Sequence, residues 1–84
     1  NPPKMFLELS KSIPNDVWLN FIQIKDGQVS FKGSALNFNP ISDFMNNLKE
    51  SVYFDQLVLK STQKMKEEGS GLDIVTFELA AKRK

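Results

Sequence analysis

The chain has 84 residues, of which 40% are hydrophobic and 25% charged, and its formal net charge is +1. This composition is typical of a small globular domain, and the nearly neutral charge argues against a dedicated binder of nucleic acid or of anionic membranes. The sequence has no cysteine and no histidine, which excludes a disulfide scaffold and a thiolate metal site and removes the commonest general base.

These bounds predict one domain over residues 1–84. No apolar run approaches the roughly 20 residues that a membrane-spanning helix needs. The chain begins with Asn1 rather than Met. We therefore expect an excised fragment or a processed product of a longer protein, in which a membrane anchor upstream would not be visible.

The first predicted element is a helix over residues 4–12, because apolar residues recur there at helical spacing until Pro14 interrupts the pattern. A β-hairpin follows, with strands over 17–25 and 28–35. They are joined at Asp26-Gly27, two residues that readily adopt the positive φ angles of a two-residue turn. The second strand alternates apolar and polar residues. The first strand instead carries apolar residues on both faces: Trp18, Leu19, Phe21, Ile22 and Ile24.

A second helix is predicted over 40–51, with Asn39 as its N-cap and Pro40 in its first position. Two further strands are expected over 55–62 and 72–80, separated by a charged, Gly/Ser-rich hairpin tip over 63–71 that we expect to be mobile. The second helix has the clearest amphipathic stripe in the chain, made of Ile41, Phe44, Met45, Leu48 and Val52.

The order αββαββ predicts an α+β fold, a two-layer ferredoxin-like sandwich with both helices on one face of a four-stranded antiparallel sheet. A right-handed connection between the second and third strands allows the fourth strand to lie between them. The predicted strand order is third, fourth, second, first. The first and third strands are then the edges of the sheet.

Nothing in the sequence predicts catalysis, a cofactor or a metal site. The carboxylates fall in turns, in the polar tip or on the solvent side of the second helix, and no phosphate-binding or calcium-binding spacing is present. Phe31 and Phe77 share the side expected to face the helices, which argues against base stacking and a nucleic-acid partner. Gly33 fits a position where a helix or neighbouring backbone approaches the sheet closely.

The apolar first strand has two interpretations. In the first, this edge strand contacts a protein partner, and the candidate interface residues are Trp18, Phe21, Ile22 and Ile24. In the second, a β-bulge near Asn20 places Leu19 and Ile22 on the same side, or the first helix covers more of the strand. The Trp18 ring is expected to belong to the core, as a lid over the first helix, and an interface anchor is the alternative.

The ordered motifs resemble the PilN family of type IV pilus assembly proteins over about residues 13–79. The resemblance rests on a proline ahead of V-W-L, a D-G turn, V-x-F-x-G-x-A, and I-S-D-F-M-x-N-L-K-x-S-x-x-F over 41–54. Related bitopic proteins of type II secretion and of mannose-sensitive pili share this architecture. The family has no catalytic residues, so its marked positions are expected to be structural; they are Pro14, Trp18, Leu19, Gly33, Phe44, Leu48 and Phe54.

The resemblance implies an inner-membrane protein with its membrane anchor upstream of the present sequence, and it implies that the present domain lies in the periplasm. It implies dimerisation with a PilO-type partner, and binding of a PilM-type protein through a cytoplasmic N-terminus that is absent from this sequence. A homodimer is the alternative mode of association. The rival class is a regulatory ferredoxin-like domain that binds a small ligand between dimerised sheets, although the sequence offers no converging polar groups for such a pocket.

Overall fold

The computed structural model describes residues 2–83, so Asn1 and Lys84, which the predicted domain includes, lie outside the described residues. Four strands form one antiparallel sheet in the order β1-β2-β4-β3. The predicted α+β class and strand order are therefore confirmed, with β1 and β3 at the edges. The elements are α1 (Pro2–Ser12), β1 (Val17–Lys25), β2 (Gln28–Ala35), α2 (Phe38–Lys49), β3 (Phe54–Lys66) and β4 (Asp73–Arg83).

The hydrophobic core lies between the two helices and one face of the sheet. Phe31 of β2 is at its centre, with its ring 6.3 Å from that of Phe44 and 5.8 Å from that of Phe54, both in edge-to-face geometry. Phe44 in turn contacts Phe77 at 6.1 Å. Burial of these rings and of neighbouring aliphatic side chains drives the two layers together. The helices contribute Met5, Leu9, Ile41, Phe44 and Leu48 to the core.

The β1–β2 hairpin has the predicted bounds because its turn chemistry is unambiguous. Asp26 and Gly27 have φ angles of 54° and 78°. Positive φ at both central residues defines the turn whose twist matches that of the two strands, and aspartate followed by glycine tolerates it well. The turn therefore sets the register of the whole hairpin, with Lys25 opposite Gln28.

Helix α2 begins two residues earlier than predicted, and its N-cap is Asn37 rather than Asn39. The Asn37 side chain accepts a hydrogen bond from the backbone N–H of Asn39 at 3.0 Å. Pro40 is consequently the third helical residue. A backbone N–H at this position would have no intrahelical acceptor, so proline costs the helix no hydrogen bond there. Val52 lies beyond the helix end and is 71% exposed, so its assignment to the buried stripe is wrong.

The predicted hairpin tip over 63–71 is also wrong in extent, because residues 63–66 continue β3 and pair with residues 76–73 of β4. The tip itself covers only residues 67–72, and it is closed by hydrogen bonds from Glu67 N to Leu72 O at 2.8 Å and from Gly71 N to Glu67 O at 3.0 Å. Side chains along this part of β3 are exposed. Backbone pairing rather than apolar burial holds the extension, so its polar sequence resembles a loop.

Within the described residues, neither helix has the length and apolar character needed to cross a membrane.

Candidate interface at the first strand

Strand β1 contains a β-bulge at Asn20. Leu19 lies opposite Gly33 and Phe21 lies opposite Lys32, which leaves Asn20 without a partner on β2. Because directly opposed residues share a face in an antiparallel sheet, Leu19 and Ile22 both lie on the face that carries the helices. The bulge interpretation is therefore confirmed. It assigns the aliphatic residues of β1 to one face: Val17, Leu19, Ile22 and Ile24.

The bulge is held by contacts with β2. The Asn20 side-chain amide donates to the hydroxyl of the buried Ser34 at 3.3 Å. Next to it, a Cβ on Gly33 would collide with the Trp18 carbonyl oxygen and lie 2.8 Å from Cζ of Phe77. Glycine at this position allows the bulged strand to approach β2 closely, which confirms the close-approach role predicted for Gly33.

Trp18 lies on the open face of the sheet, opposite the helices, because it pairs with Ser34 rather than with a core residue. Its side chain is half-buried, and it is not among the residues that pack in the hydrophobic core. The core assignment of the Trp18 ring is therefore wrong. The bulge explains the difference, since its position decides which residues of β1 face the helices.

Three large apolar side chains of β1 remain exposed after the bulge is taken into account. Ile22 and Ile24 are each 37% exposed on the helix side, and Phe21 is 45% exposed on the open face. The Lys32 ammonium lies 5.5 Å from the centre of the Phe21 ring, within cation–π range. Together with Trp18, these residues line the free edge of β1 from both faces. We call the four residues the β1 edge surface.

The chain also has an apolar groove of about 540 Å³, which the sequence did not reveal. It lies where the β2–α2 connection meets the β3–β4 hairpin, and its exposed apolar side chains are Leu36, Phe38 and Met65. The ion pair between Lys66 and Asp73, 3.2 Å long, is solvent-exposed. Among residues 4–83 no buried side-chain polar atom lacks a hydrogen-bond partner. The groove thus presents apolar surface without a buried polar group to orient a small ligand.

No group of three or more acidic side chains within the described part of the chain is arranged to hold a metal ion. The buried polar residues have ordinary structural partners. The Ser12 hydroxyl donates to the Glu8 carbonyl at 2.9 Å, and the Ser51 hydroxyl accepts from the Tyr53 N–H at 3.2 Å. These hydrogen bonds stabilise the ends of the helices, so the buried polar residues have structural roles.

Two solved protein domains have an architecture similar to that of this chain. The periplasmic domain of EpsL from Vibrio parahaemolyticus superposes with a TM-score of 0.61 at 15% identity, over 99% of this chain and 89% of that one. The periplasmic domain of XcpY superposes with a TM-score of 0.69 at 18% identity, over 96% of this chain and 99% of that one. At such identities the likeness is one of fold. Among curated protein sequences, none matches this chain significantly.

The family comparison covers nearly the whole sequence. Residues 4–83 match the family described as fimbrial assembly protein (PilN). The matched range begins in α1 and ends with the last residue of β4, so it includes every helix and strand that positions the β1 edge surface. This chain therefore belongs to the PilN family of fimbrial assembly proteins.

Proposed function

We propose that this domain is a docking module rather than an enzyme, and that it joins its assembly by pairing with a PilO-type subunit through the β1 edge surface. The observation that carries the proposal is the free edge of β1, flanked by the exposed side chains of Phe21, Ile22 and Ile24. An edge strand with apolar neighbours is a template for pairing with another chain, and proteins usually protect such edges. Here a partner subunit supplies the protection.

The opposite edge of the sheet is a poorer candidate. Strand β3 has two irregularities in its pairing, one between Asp55 and Val58 and another between Leu59 and Ser61. From Lys60 to Lys66 all its side chains are exposed, and most are polar. Bulges and lysines on an edge strand are common devices against edge-to-edge association. The contrast between the two edges favours β1 as the docking strand.

Membership of the PilN family supports the assembly role, and the solved domains of EpsL and XcpY, both periplasmic, support a periplasmic location for this one. The proposal includes a longer chain with an inner-membrane anchor and a cytoplasmic segment that binds a PilM-type protein. Both lie outside the present sequence. In this arrangement the domain holds neighbouring subunits in register and catalyses no reaction.

Hydrogen exchange tests the docking surface directly. At concentrations low enough to keep the domain monomeric, the amides of β1 that face away from β2 exchange readily, because no other strand pairs with them. Addition of the periplasmic domain of the PilO-type partner is expected to slow their exchange, while outward amides of β3 remain unchanged and serve as the internal control. Protection confined to β3 or to the helices, or the absence of a complex, would contradict the proposal.

A further inference from the structure

We propose that a second copy of this chain pairs with β1 edge to edge in one antiparallel register, with Val17 opposite the second copy's Ile24 and Leu19 opposite its Ile22. The inference rests on the proposed docking role of β1 and adds an occupant and a register. The two sheets would form one continuous eight-stranded sheet about a two-fold axis at the bulge. Self-pairing and binding of a PilO-type subunit at this edge then exclude each other.

The first argument concerns which backbone groups of β1 are free on the side of the turn. Lys25 and Gln28 flank the two-residue turn, and in such hairpins the flanking pair exchanges both of its hydrogen bonds. Hydrogen-bonded and non-hydrogen-bonded pairs then alternate along the ladder. Gln23 and Lys25 therefore direct their N–H and C=O groups toward β2, while Ile22 and Ile24 direct theirs outward.

The other side of the bulge gives the same result from an independent contact. The backbone N–H of Leu36 donates to the carbonyl of Asp16 at 3.2 Å, so Asp16 directs its carbonyl toward β2. Alternation from Asp16 places the backbone groups of Val17 and Leu19 on the outer edge and those of Trp18 on the inner one. The four residues with outward backbone groups are also the four whose side chains share the helix-bearing face.

A two-fold antiparallel pair must bring outward residues opposite outward residues and must keep side chains on matching faces. The proposed register satisfies both conditions for all four residues, and each of its two pairs occurs twice by symmetry. A shift of two residues in either direction pairs Leu19 with Ile24 or Val17 with Ile22, and it leaves Val17 or Ile24 without an outward residue opposite it. The proposed register is thus the one in which all four outward residues are paired.

Charge supports the same arrangement. Within residues 16–25 the charged side chains are Asp16 at one end and Lys25 at the other, and both are exposed. In the proposed register Asp16 lies opposite the second copy's Lys25, so an ion pair of opposite charges forms at each end of the ladder. A parallel pair in register would instead place Lys25 beside Lys25 and Asp16 beside Asp16, which is repulsive.

Disulfide trapping tests the register, because the chain has no cysteine of its own. Asp16→Cys and Lys25→Cys are prepared separately, mixed and oxidised. Both positions are exposed, so the fold tolerates the changes, and opposed residues of an antiparallel pair lie within the Cα separation of a disulfide. The mixture is expected to yield a cross-linked dimer. Either variant alone is not, since its two cysteines would be roughly 30 Å apart at about 3.3 Å per residue.

Lys60→Cys, exposed on β3, is mixed with Lys25→Cys as the matched control and is expected to give no cross-link. A second measurement uses the charges. Lys25→Asp is expected to weaken self-association by about three- to tenfold through loss of two exposed ion pairs, and adding Asp16→Lys is expected to restore it.

Two results overturn the inference. One is a chain that sediments as a monomer at every accessible concentration. The other is a dimer that is not cross-linked in the mixture of Asp16→Cys and Lys25→Cys. Neither affects the proposed function if the PilO-type partner still protects β1 from exchange. Conversely, a trapped self-pair without binding of that partner supports the inference and rejects the PilO-type docking role.

Discussion

Leu19 and Ile22 lie on the same face of the sheet, whereas a regular strand would place residues three apart on opposite faces. The bulge at Asn20 accounts for this relationship and for most of the apolar character of β1. It brings the aliphatic side chains over the core and leaves Phe21 on the open face. The exposed apolar surface that remains is consequently concentrated at the outer edge, where we place the interface.

Deletion of Asn20 removes the one residue of β1 that has no partner on β2, so Leu19 stays opposite Gly33 and Phe21 opposite Lys32. The buried Val17 keeps its place on the helix-bearing face, and we expect a loss of about 1 kcal/mol, mainly from the hydrogen bond to Ser34. Asn20→Ala keeps the strand length, loses the same hydrogen bond and is expected to cost a similar amount. Urea unfolding compares the two variants, and a much larger loss on deletion would refute the assignment of Asn20 as the bulged residue.

Gly33→Ala is expected to reduce the free energy of unfolding by about 1–3 kcal/mol, because the added Cβ meets the Trp18 carbonyl and the Phe77 ring. Gly27→Asn is the matched control. Gly27 has a φ of 78° and open space around it, and asparagine tolerates that backbone conformation. The control is expected to stay within about 0.5 kcal/mol of the wild type. A larger loss at Gly27 than at Gly33 would show that strand approach is not the constraint.

Phe31→Leu is expected to cost about 1–2 kcal/mol, since Phe31 is fully buried and contacts two other rings edge to face. Phe38→Leu makes the same chemical change at a side chain that is 48% exposed, and we expect an effect within about 0.5 kcal/mol. Thermal unfolding monitored by circular dichroism compares the two. Similar shifts in Tm would mean that Phe31 is not the centre of the core.

Asn37→Ala is expected to destabilise the protein by about 1 kcal/mol, because the Asn37 side chain caps the first turn of α2. Asn39→Ala leaves that side-chain acceptor in place and is expected to be nearly neutral. Chemical unfolding of the two variants distinguishes the observed cap from the one predicted by the sequence. A greater loss for Asn39→Ala would restore the sequence-based assignment.

The sequence predicted the order of elements, both strands of the first hairpin and the sheet order, because those features depend on local turn chemistry and on periodicity. The errors share a physical cause. Asn37 and Asn39 are equally good caps by residue type, and only the course of the chain after Ala35 decides between them. The β3–β4 extension is held by backbone hydrogen bonds that leave little trace in side-chain pattern.

The candidate interface was harder to derive from sequence. An apolar strand is equally compatible with a bulge, with cover by a helix and with a protein partner. The three-dimensional structure separates them residue by residue: the bulge accounts for Leu19, while Phe21, Ile22 and Ile24 remain exposed. The groove at Leu36 and Phe38 was not predicted, because it forms where the chain leaving β2 meets the β3–β4 hairpin, which is distant in sequence.

The most direct measurement of the central claim is sedimentation of Phe21→Lys/Ile24→Lys, with and without the PilO-type partner, alongside circular dichroism. Val52→Lys/Val58→Lys adds the same charge at two residues that are 71% and 54% exposed away from β1, and serves as the control. We expect the β1 variant to remain folded and to lose association, and the control to associate like the wild type. Unchanged association of the folded β1 variant would contradict docking through this edge.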